Sequence, residues 1–374
     1  MIVTNIHYSV NDINKLEWNA LVSQEEIFQT YDALSFFEKK GLVDYPPVYI
    51  IFRDEKNQML AHTTAYIIKT DLLIFSRGIL KKGVEQIRRL FPNFLKFDIL
   101  ECGCPISPGS PISLRNKSDL SNVINLLANA LDILAKERSV NLMLIRDFYE
   151  TNDDYFCEFT KENYVAIDNL PTTLLNIRWG SFEQYVSTMR NRYRSKIYRG
   201  LKIAKASNLS VEFSKTFSSE SEELSLQWQN VSKNAKEYSR EHLTSDFYKY
   251  IGNGLNQQCL LLRIMRNQDM VAHALLAIDN KKLRWLFFGR KEEGSRDGAY
   301  FLAIANIVKF AIDNDFHSIE MGLTTYSPKT DFGASMVPLW MYLKCRHKSL
   351  NFFIPKMYAY FNKKVNVNVR KVFK

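Results

Sequence analysis

Leu286-Phe287-Phe288-Gly289-Arg290-Lys291-Glu292-Glu293-Gly294-Ser295-Arg296-Asp297-Gly298-Ala299-Tyr300 runs directly into Phe301-Leu302-Ala303-Ile304-Ala305-Asn306-Ile307-Val308-Lys309-Phe310-Ala311. The order is an apolar strand, a Gly-rich basic turn and a helix. A turn of this kind leaves backbone N–H groups facing outward at a helix start, where the helix dipole favours negative charge. Arg290, Gly294, Arg296, Gly298 and Ala299 are therefore the candidate residues for holding a phosphate or pyrophosphate of a ligand. Further on, Ile319-Glu320-Met321-Gly322 reads as a short strand, and the loop after it carries Tyr326 and Lys329 before Phe332-Gly333. Loops on rigid scaffolds carry chemistry. Glu320 is a candidate general base for an amine, or else a salt-bridged strand end. Lys329 is suited to a phosphate or a developing oxyanion, with Tyr326 beside it near the reacting centre.

The chain has 374 residues, 46% of them hydrophobic and 13% aromatic, enough apolar surface for more than one core. That length favours two domains of roughly 170–200 residues. Lys and Arg outnumber Asp and Glu by 50 to 40, a net charge of +10 that favours anionic partners such as nucleotides, RNA or lipid headgroups. The five cysteines are odd in number, and only Cys102 and Cys104 stand close together. They assemble no zinc set at familiar spacing and fit a reducing compartment. No basic leader precedes an apolar run at the N-terminus, and no stretch is long and apolar enough to span a bilayer. The expectation is a cytoplasmic protein without a metal. No G-x-S-x-G elbow, H-E-x-x-H or Walker A segment is present, so hydrolase-triad, zinc-protease and P-loop chemistry have no support.

An internal echo divides the sequence. Gln58-Met59-Leu60-Ala61-His62-Thr63-Thr64-Ala65-Tyr66-Ile67 is matched by Asp269-Met270-Val271-Ala272-His273-Ala274-Leu275-Leu276-Ala277-Ile278. Each copy follows a short apolar strand and a polar turn, and each precedes a further strand, a long amphipathic helix and a closing strand. A repeat of this length predicts a duplicated α/β domain rather than a solenoid. The turn signal Asp168-Asn169-Leu170-Pro171 sets the boundary, giving an N-terminal domain over 1–170 and a C-terminal domain over 171–374. The second domain ends in a basic tail through Lys363, Lys364, Arg370, Lys371 and Lys374. His62 and His273 occupy matching strand positions, and their repetition points to a structural duty.

Between the boundary and the second copy, Phe182, Tyr185, Met189, Tyr193, Ile197 and Leu201 recur at helical spacing as a core stripe. Ser181 and Gln184 have the spacing of a capping box. Arg192, Lys196 and Arg199 form a second stripe with few acids to offset it, a candidate face for an anionic substrate or RNA.

Taken together, Ser181 to Tyr185 leading into the Arg-rich helix, the helix Tyr300 to Asn314 behind the Gly-rich turn, and Ile319 to Gly322 with Lys329 and Phe332-Gly333 resemble a known family. The second half is similar to the FemAB-like branch of the GNAT superfamily of N-acyltransferases, in the group where two such domains stand in tandem. The likeness covers roughly residues 170–346, and the first half follows by the echo. It implies an α/β protein with two tandem GNAT-like domains, each a twisted mixed sheet flanked by helices. It also implies transfer of an acyl or aminoacyl group to an amine. Lys329-x-x-Phe332-Gly333 is similar to the F-K-x-x-F-G segment of FemAB proteins, with Pro328 in place of the first Phe. The turn departs from the R/Q-x-x-G-x-G/A pattern of acetyl-CoA-dependent relatives.

These readings predict an acyltransferase that moves an acyl group from acyl-CoA or acyl-carrier protein to an amine of a small molecule or cell-envelope precursor, with no tightly bound cofactor. Aminoacyl-tRNA is the alternative donor, favoured by the charge and the Arg-rich helix. A non-catalytic module binding RNA or a membrane surface is the rival from another class.

Overall fold

The computed structural model describes residues 2–40, 46–71, 79–149, 158–234, 243–255, 257–291, 296–361 and 370–374. The chain forms two compact units, residues 1–170 with 338–365 and residues 171–337 with 366–374.

In unit 1 the strands are β1 (Val3–His7), β2 (Val48–Arg53), β3 (Met59–Asp71), β4 (Lys96–Cys102), β5 (Ile112–Leu114) and β6 (Leu142–Tyr149). Their order is β1-β2-β3-β4-β6, with the short β5 beside β3. Every pairing is antiparallel except β4 with β6. In unit 2, β7 (Val165–Asn176), β8 (Leu209–Ser214), β9 (Cys259–Arg266), β10 (Asp269–Asp279), β11 (Lys282–Arg290) and β12 (Ser318–Glu320) lie in the order β8-β9-β10-β11-β12-β7. Again one pairing is parallel, β11 with β12.

The same succession of pairings therefore occurs twice. The echoed segments fall on β3 and β10, the third strand of each. The hairpins before them turn at Asn57 (φ 61°) and Asn267 (φ 57°), both left-handed, a conformation Asn tolerates better than most residues.

Each unit is closed by a strand that lies out of sequence order in the sheet. In unit 2 it is β7 from Pro171 on, antiparallel to β12. In unit 1 it is β13 (Ser335–Cys345) from Pro338 on, antiparallel to β6 from Leu339 opposite Tyr149 to Cys345 opposite Leu142. Residues 338–365, assigned from the sequence to the second domain, thus belong with the first unit. A ladder of backbone hydrogen bonds decides this placement, and no local sequence pattern names a strand's partner.

The helices of unit 1 are α1 (Lys15–Asn19), α2 (Tyr31–Lys40), α3 (Ile79–Ile87) and α4 (Leu120–Glu137). Unit 2 has α5 (Phe182–Thr188), α6 (Asn191–Ala206), α7 (Ser221–Asn234), α8 (Ser245–Gly254), α9 (Ala299–Asp313) and α10 (Tyr326–Asp331). Two more, α11 (Lys348–Asn351) and α12 (Ile354–Phe361), follow β13 in unit 1. Alternation along the strands gives the unit 1 sheet two apolar faces. Leu100, Met143, Ile145 and Tyr342 pack with Val123, Leu127, Leu131 and Leu134 of α4. Ile99, Leu142, Leu144, Met341 and Leu343 pack with Tyr358 of α12. In unit 2, β10 is apolar almost end to end because both its faces are buried, and α9 lays Ala303, Ile304, Ile307, Val308 and Ala311 into that core.

The helical stripe read over 182–201 is two helices rather than one. α5 stops at Met189, whose backbone instead pairs with Phe373, and α6 restarts at Asn191. The capping box is partly as expected: Ser181 Oγ accepts from Gln184 N at 3.1 Å, while Gln184 Oε1 accepts from Gly180 N at 2.7 Å. The segment expected as a loop over Tyr326 and Lys329 is the short helix α10.

Candidate functional site

The parallel strands β11 and β12 match for three residues and then part. Their last register pair is Arg284 with Glu320. Beyond it the chain turns toward β7: Met321 N donates to Thr173 O at 2.8 Å, and Thr173 N and Oγ1 donate to Gly322 O at 3.3 and 2.8 Å. Gly322 takes φ 68° at this turn. β11 runs on to Arg290, paired with β10 alone among the described residues. It carries an irregularity there, because Leu275 faces Phe287 while Leu276 faces Trp285, which leaves Leu286 as an extra residue. A bulge on a strand that has lost one neighbour redirects backbone N–H and C=O groups, the kind of edge where an extended ligand or an oxyanion is held.

Glu320 stands at the head of this divergence and is buried. Arg284 Nη1 donates to its carboxylate, Thr172 Oγ1 donates to Oε1 at 3.0 Å, and Arg284 Nε donates to Asp279 Oδ2 at 2.7 Å. Burial pushes the Glu320 carboxyl above its ordinary range, and the Arg284 guanidinium opposes that shift. This geometry gives Glu320 the salt-bridged strand-end role, locking the two strands at their last shared pair. Arg284 and Asp279, which complete the cluster, were not singled out from the sequence.

Lys329 is buried, on a helix rather than a loop. Its ammonium donates to Gly322 O at 3.3 Å, Leu323 O at 3.0 Å and Thr324 O at 2.8 Å. The turn it gathers holds Gly322, Thr324 and Thr325 at positive φ, a conformation that costs energy in the two threonines. The Lys329 ammonium also lies 6.0 Å from the Trp285 ring centroid, so the clamp sits against β11 where it leaves β12. Tyr326 OH donates to Pro171 O at 2.9 Å, tying α10 to the start of the unit 2 stretch of β7. Glu320, Tyr326 and Lys329 therefore all frame the parting of the strands.

Of the candidate phosphate-binding residues, Gly294 lies outside the described residues. Arg296 is exposed. Gly298 takes φ 83°, but a Cβ there would stand 2.7 Å from Gly200 O and 2.8 Å from Ala204 N, so its surroundings are the α6 backbone. Asp297, which sequence reasoning passed over, is buried and accepts from Ala299 N at 3.1 Å. Arg266 Nη2 donates to it at 3.0 Å and Arg290 Nη2 at 3.2 Å. In the described part of the turn, an internal carboxylate thus occupies the helix N-terminus, and Arg290 is directed at it.

Along α6, Tyr193, Ile197, Gly200 and Ala204 face inward, while Arg192, Lys196, Arg199, Lys202 and Lys205 are exposed. Arg192 stacks over the Tyr193 ring at 4.5 Å. Lys196 is bound to Asp331, which also receives Arg370 from the C-terminal segment. Lys196 is therefore partly engaged, whereas Arg199 shares the solvent-facing row with Lys202.

His273 is buried between Gln227 Oε1, 2.9 Å from Nδ1, and Tyr248 OH, 3.1 Å from Nε2. His62 stacks on Trp18 at 3.6 Å, with Nε2 3.0 Å from Trp18 O. Burial lowers both imidazoles to about 3, so each is a neutral, hydrogen-bonded strand residue. Among the described residues no cluster of three or more His, Cys, Asp or Glu side chains suits a metal.

Comparison with known proteins gives three kinds of likeness. The sequence profile of a FemAB-like family, described as peptidoglycan biosynthesis/recognition, matches residues 9–371. A Mycobacterium tuberculosis protein named as 8-amino-7-oxononanoate synthase 2 is 26% identical over 323 residues, covering 84% of this chain. The chain spans only 42% of the length of that curated relative. Among solved structures, FemX superposes with a TM-score of 0.58 at 11% identity, covering 94% of this chain and 100% of FemX. A tandem GNAT protein from the clavulanic acid biosynthesis pathway superposes with a TM-score of 0.51 at 7% identity, covering 92% of this chain and 98% of its own.

Proposed function

The chain belongs to the FemAB-like family, and from that premise we propose that unit 2 catalyses transfer of an aminoacyl group from aminoacyl-tRNA to an amine of a cell-wall precursor. The family match and the tandem GNAT-like fold support the coarser part of this reading, a transferase of acyl or aminoacyl groups connected with the cell wall.

One observation carries the choice of donor. A thioester donor such as acyl-CoA brings a pyrophosphate that needs the N-terminus of α9, and there Asp297 already accepts from Ala299 N while Gly298 is packed on α6. A polyanionic donor needs a broad cationic face instead, and α6 supplies Arg192, Arg199, Lys202 and Lys205 in the open. Acyl-carrier protein remains the second reading, because its acidic surface suits the same face.

The chemistry asks little of side chains. The amine nitrogen attacks the ester carbonyl, a tetrahedral oxyanion forms, and the C–O bond to the ribose breaks as the amide forms. The nitrogen gives up a proton and the departing ribose oxygen takes one. In this reading, backbone N–H groups at the Leu286 bulge hold the oxyanion. Arg284 with Glu320, and Lys329 with the 322–324 turn, keep that edge open as positioning residues. Holding donor and amine together supplies up to roughly 7–11 kcal/mol of the barrier reduction.

The test is the purified chain incubated with a pool of aminoacyl-tRNAs, a pool of acyl-CoAs or acyl-carrier protein, each with a muropeptide precursor, and product mass as the readout. The expected product carries one added amino acid. Substituting Arg192, Arg199 and Lys202 by Ser should lower the log–log salt slope of tRNA binding by about 2–3. A product formed only from acyl-CoA or the carrier protein, or an unchanged slope, would overturn the donor assignment.

A further inference from the structure

Two exposed apolar segments of unit 1 take no part in the site. The first is the end of α3 and the turn after it, where Ile87, Leu90 and Phe91 are 41%, 80% and 66% exposed. The second is the end of α11 and the residues after it, where Leu350, Phe352 and Phe353 are 45%, 62% and 64% exposed. Single exposed apolar side chains are ordinary, but adjacent Leu-Phe and Phe-Phe pairs held out of a folded unit mark a contact surface.

The segments are rooted in one place. Leu95 and Phe97, just after the first, and Ile354 and Met357, just after the second, pack against the same buried cluster that includes Ile99, Leu142, Leu144 and Leu343. Both therefore rise from the sheet face opposite to the one α4 covers.

The charges around them are mostly positive. Not one Asp or Glu stands between Arg346 and Lys374. Lys348 and Lys356 are exposed beside the second segment, and Lys82 and Arg89 beside the first, where Glu85 is the opposing charge. The Lys356 ammonium lies 3.5 Å from the Phe352 ring centroid. Among the described residues no helix is long and apolar enough to cross a membrane.

We infer that this face of unit 1 docks peripherally on an anionic lipid bilayer. The Leu and Phe tips enter the boundary between headgroups and acyl chains, and the Lys and Arg rim meets the lipid phosphates. The rim itself argues against a second copy as occupant, because a symmetric contact would bring like charges together. The inference is independent of the donor assignment.

The test uses the full chain with sucrose-loaded vesicles of phosphatidylcholine alone or of phosphatidylcholine with phosphatidylglycerol, and light scattering of the protein alone. The wild type should sediment with the anionic vesicles, less with the neutral ones, and less as salt is raised. Leu90→Ser with Phe91→Ser, and separately Phe352→Ser with Phe353→Ser, should each weaken binding at least about tenfold. These side chains are exposed, so both variants should melt like the wild type. Arg89→Glu with Lys356→Glu should abolish the preference for anionic lipid. A wild type that ignores both vesicles, Ser variants that bind as well as the wild type, or a dimer that the Ser variants dissolve would each overturn the inference.

Discussion

The Asp297 carboxylate accepts the backbone N–H of Ala299 at 3.1 Å, so the opening turn of the long unit 2 helix is capped from within the chain. Arg266 from β9 and Arg290 from β11 converge on the same carboxylate. In its described part, the strand-to-helix turn that reads in sequence as a phosphate cradle thus carries its own anion, with Arg266 and Arg290 drawn onto it.

Removing that anion should expose the latent site. Asp297→Ala deletes a hydrogen bond to the first N–H of the helix, about 1 kcal/mol, and strips two arginines of a shared buried partner, for a total loss of about 3 kcal/mol. Urea unfolding measures the loss. Inorganic pyrophosphate should then raise the Tm of the variant more than that of the wild type. Equal stabilisation of both would show that Asp297 does not fill an anion site.

The two buried imidazoles make stability sensitive to mild acid. In the unfolded chain they take protons near 6.5, whereas folded His62 and His273 resist protonation until about 3. With the folded value depressed, their contribution is present in full above 6.5 and is lost as pH falls toward 3. From pH 7 to pH 5 each should cost about 2 kcal/mol of stability. Urea midpoints at the two pH values test this against the His62→Gln, His273→Gln double variant, whose midpoint should move less. A wild-type midpoint that is the same at both values refutes it.

What the sequence made legible was local. The apolar runs of β9 to β11 and the periodicity of α9 and α6 mark those elements without help, and the echo around His62 and His273 marks the duplication, because the same strand environment selected the same residues twice. What it hid was contact between distant segments. Nothing near Pro338 says that this strand completes the first unit beside β6. Nothing near Asp297 announces Arg266, and nothing near Glu320 announces Arg284 and Asp279. A lysine next to Pro328 in a polar stretch reads as exposed, and only the folded turn of three carbonyls makes it buried.

The Lys329-x-x-Phe332-Gly333 pattern acquires a structural meaning from the same geometry. Lys329 gathers the carbonyls of Gly322, Leu323 and Thr324, and Phe332 is fully buried. Gly333, at φ 89°, leaves room for the Phe373 ring, with which any Cβ would collide. Hydrogen bonds from a charged donor contribute about 1.5–3 kcal/mol each, and their loss would strand three carbonyls of a turn already strained at Thr324 and Thr325. Lys329→Ala should therefore cost about 3 kcal/mol of stability and also lower kcat/KM, because the turn that walls the parting of β11 and β12 would relax. Lys329→Arg should not rescue it, since a planar guanidinium cannot point three donors at one converging set of carbonyls. Tyr326→Phe, losing one bond to Pro171 O, should cost only about 1 kcal/mol and leave turnover close to the wild type. Melting curves and transfer rates measured together on the three variants decide the matter. Lys329→Ala with unchanged Tm would remove the clamp, and Lys329→Ala folded and fully active would move the reacting centre away from the 322–324 turn.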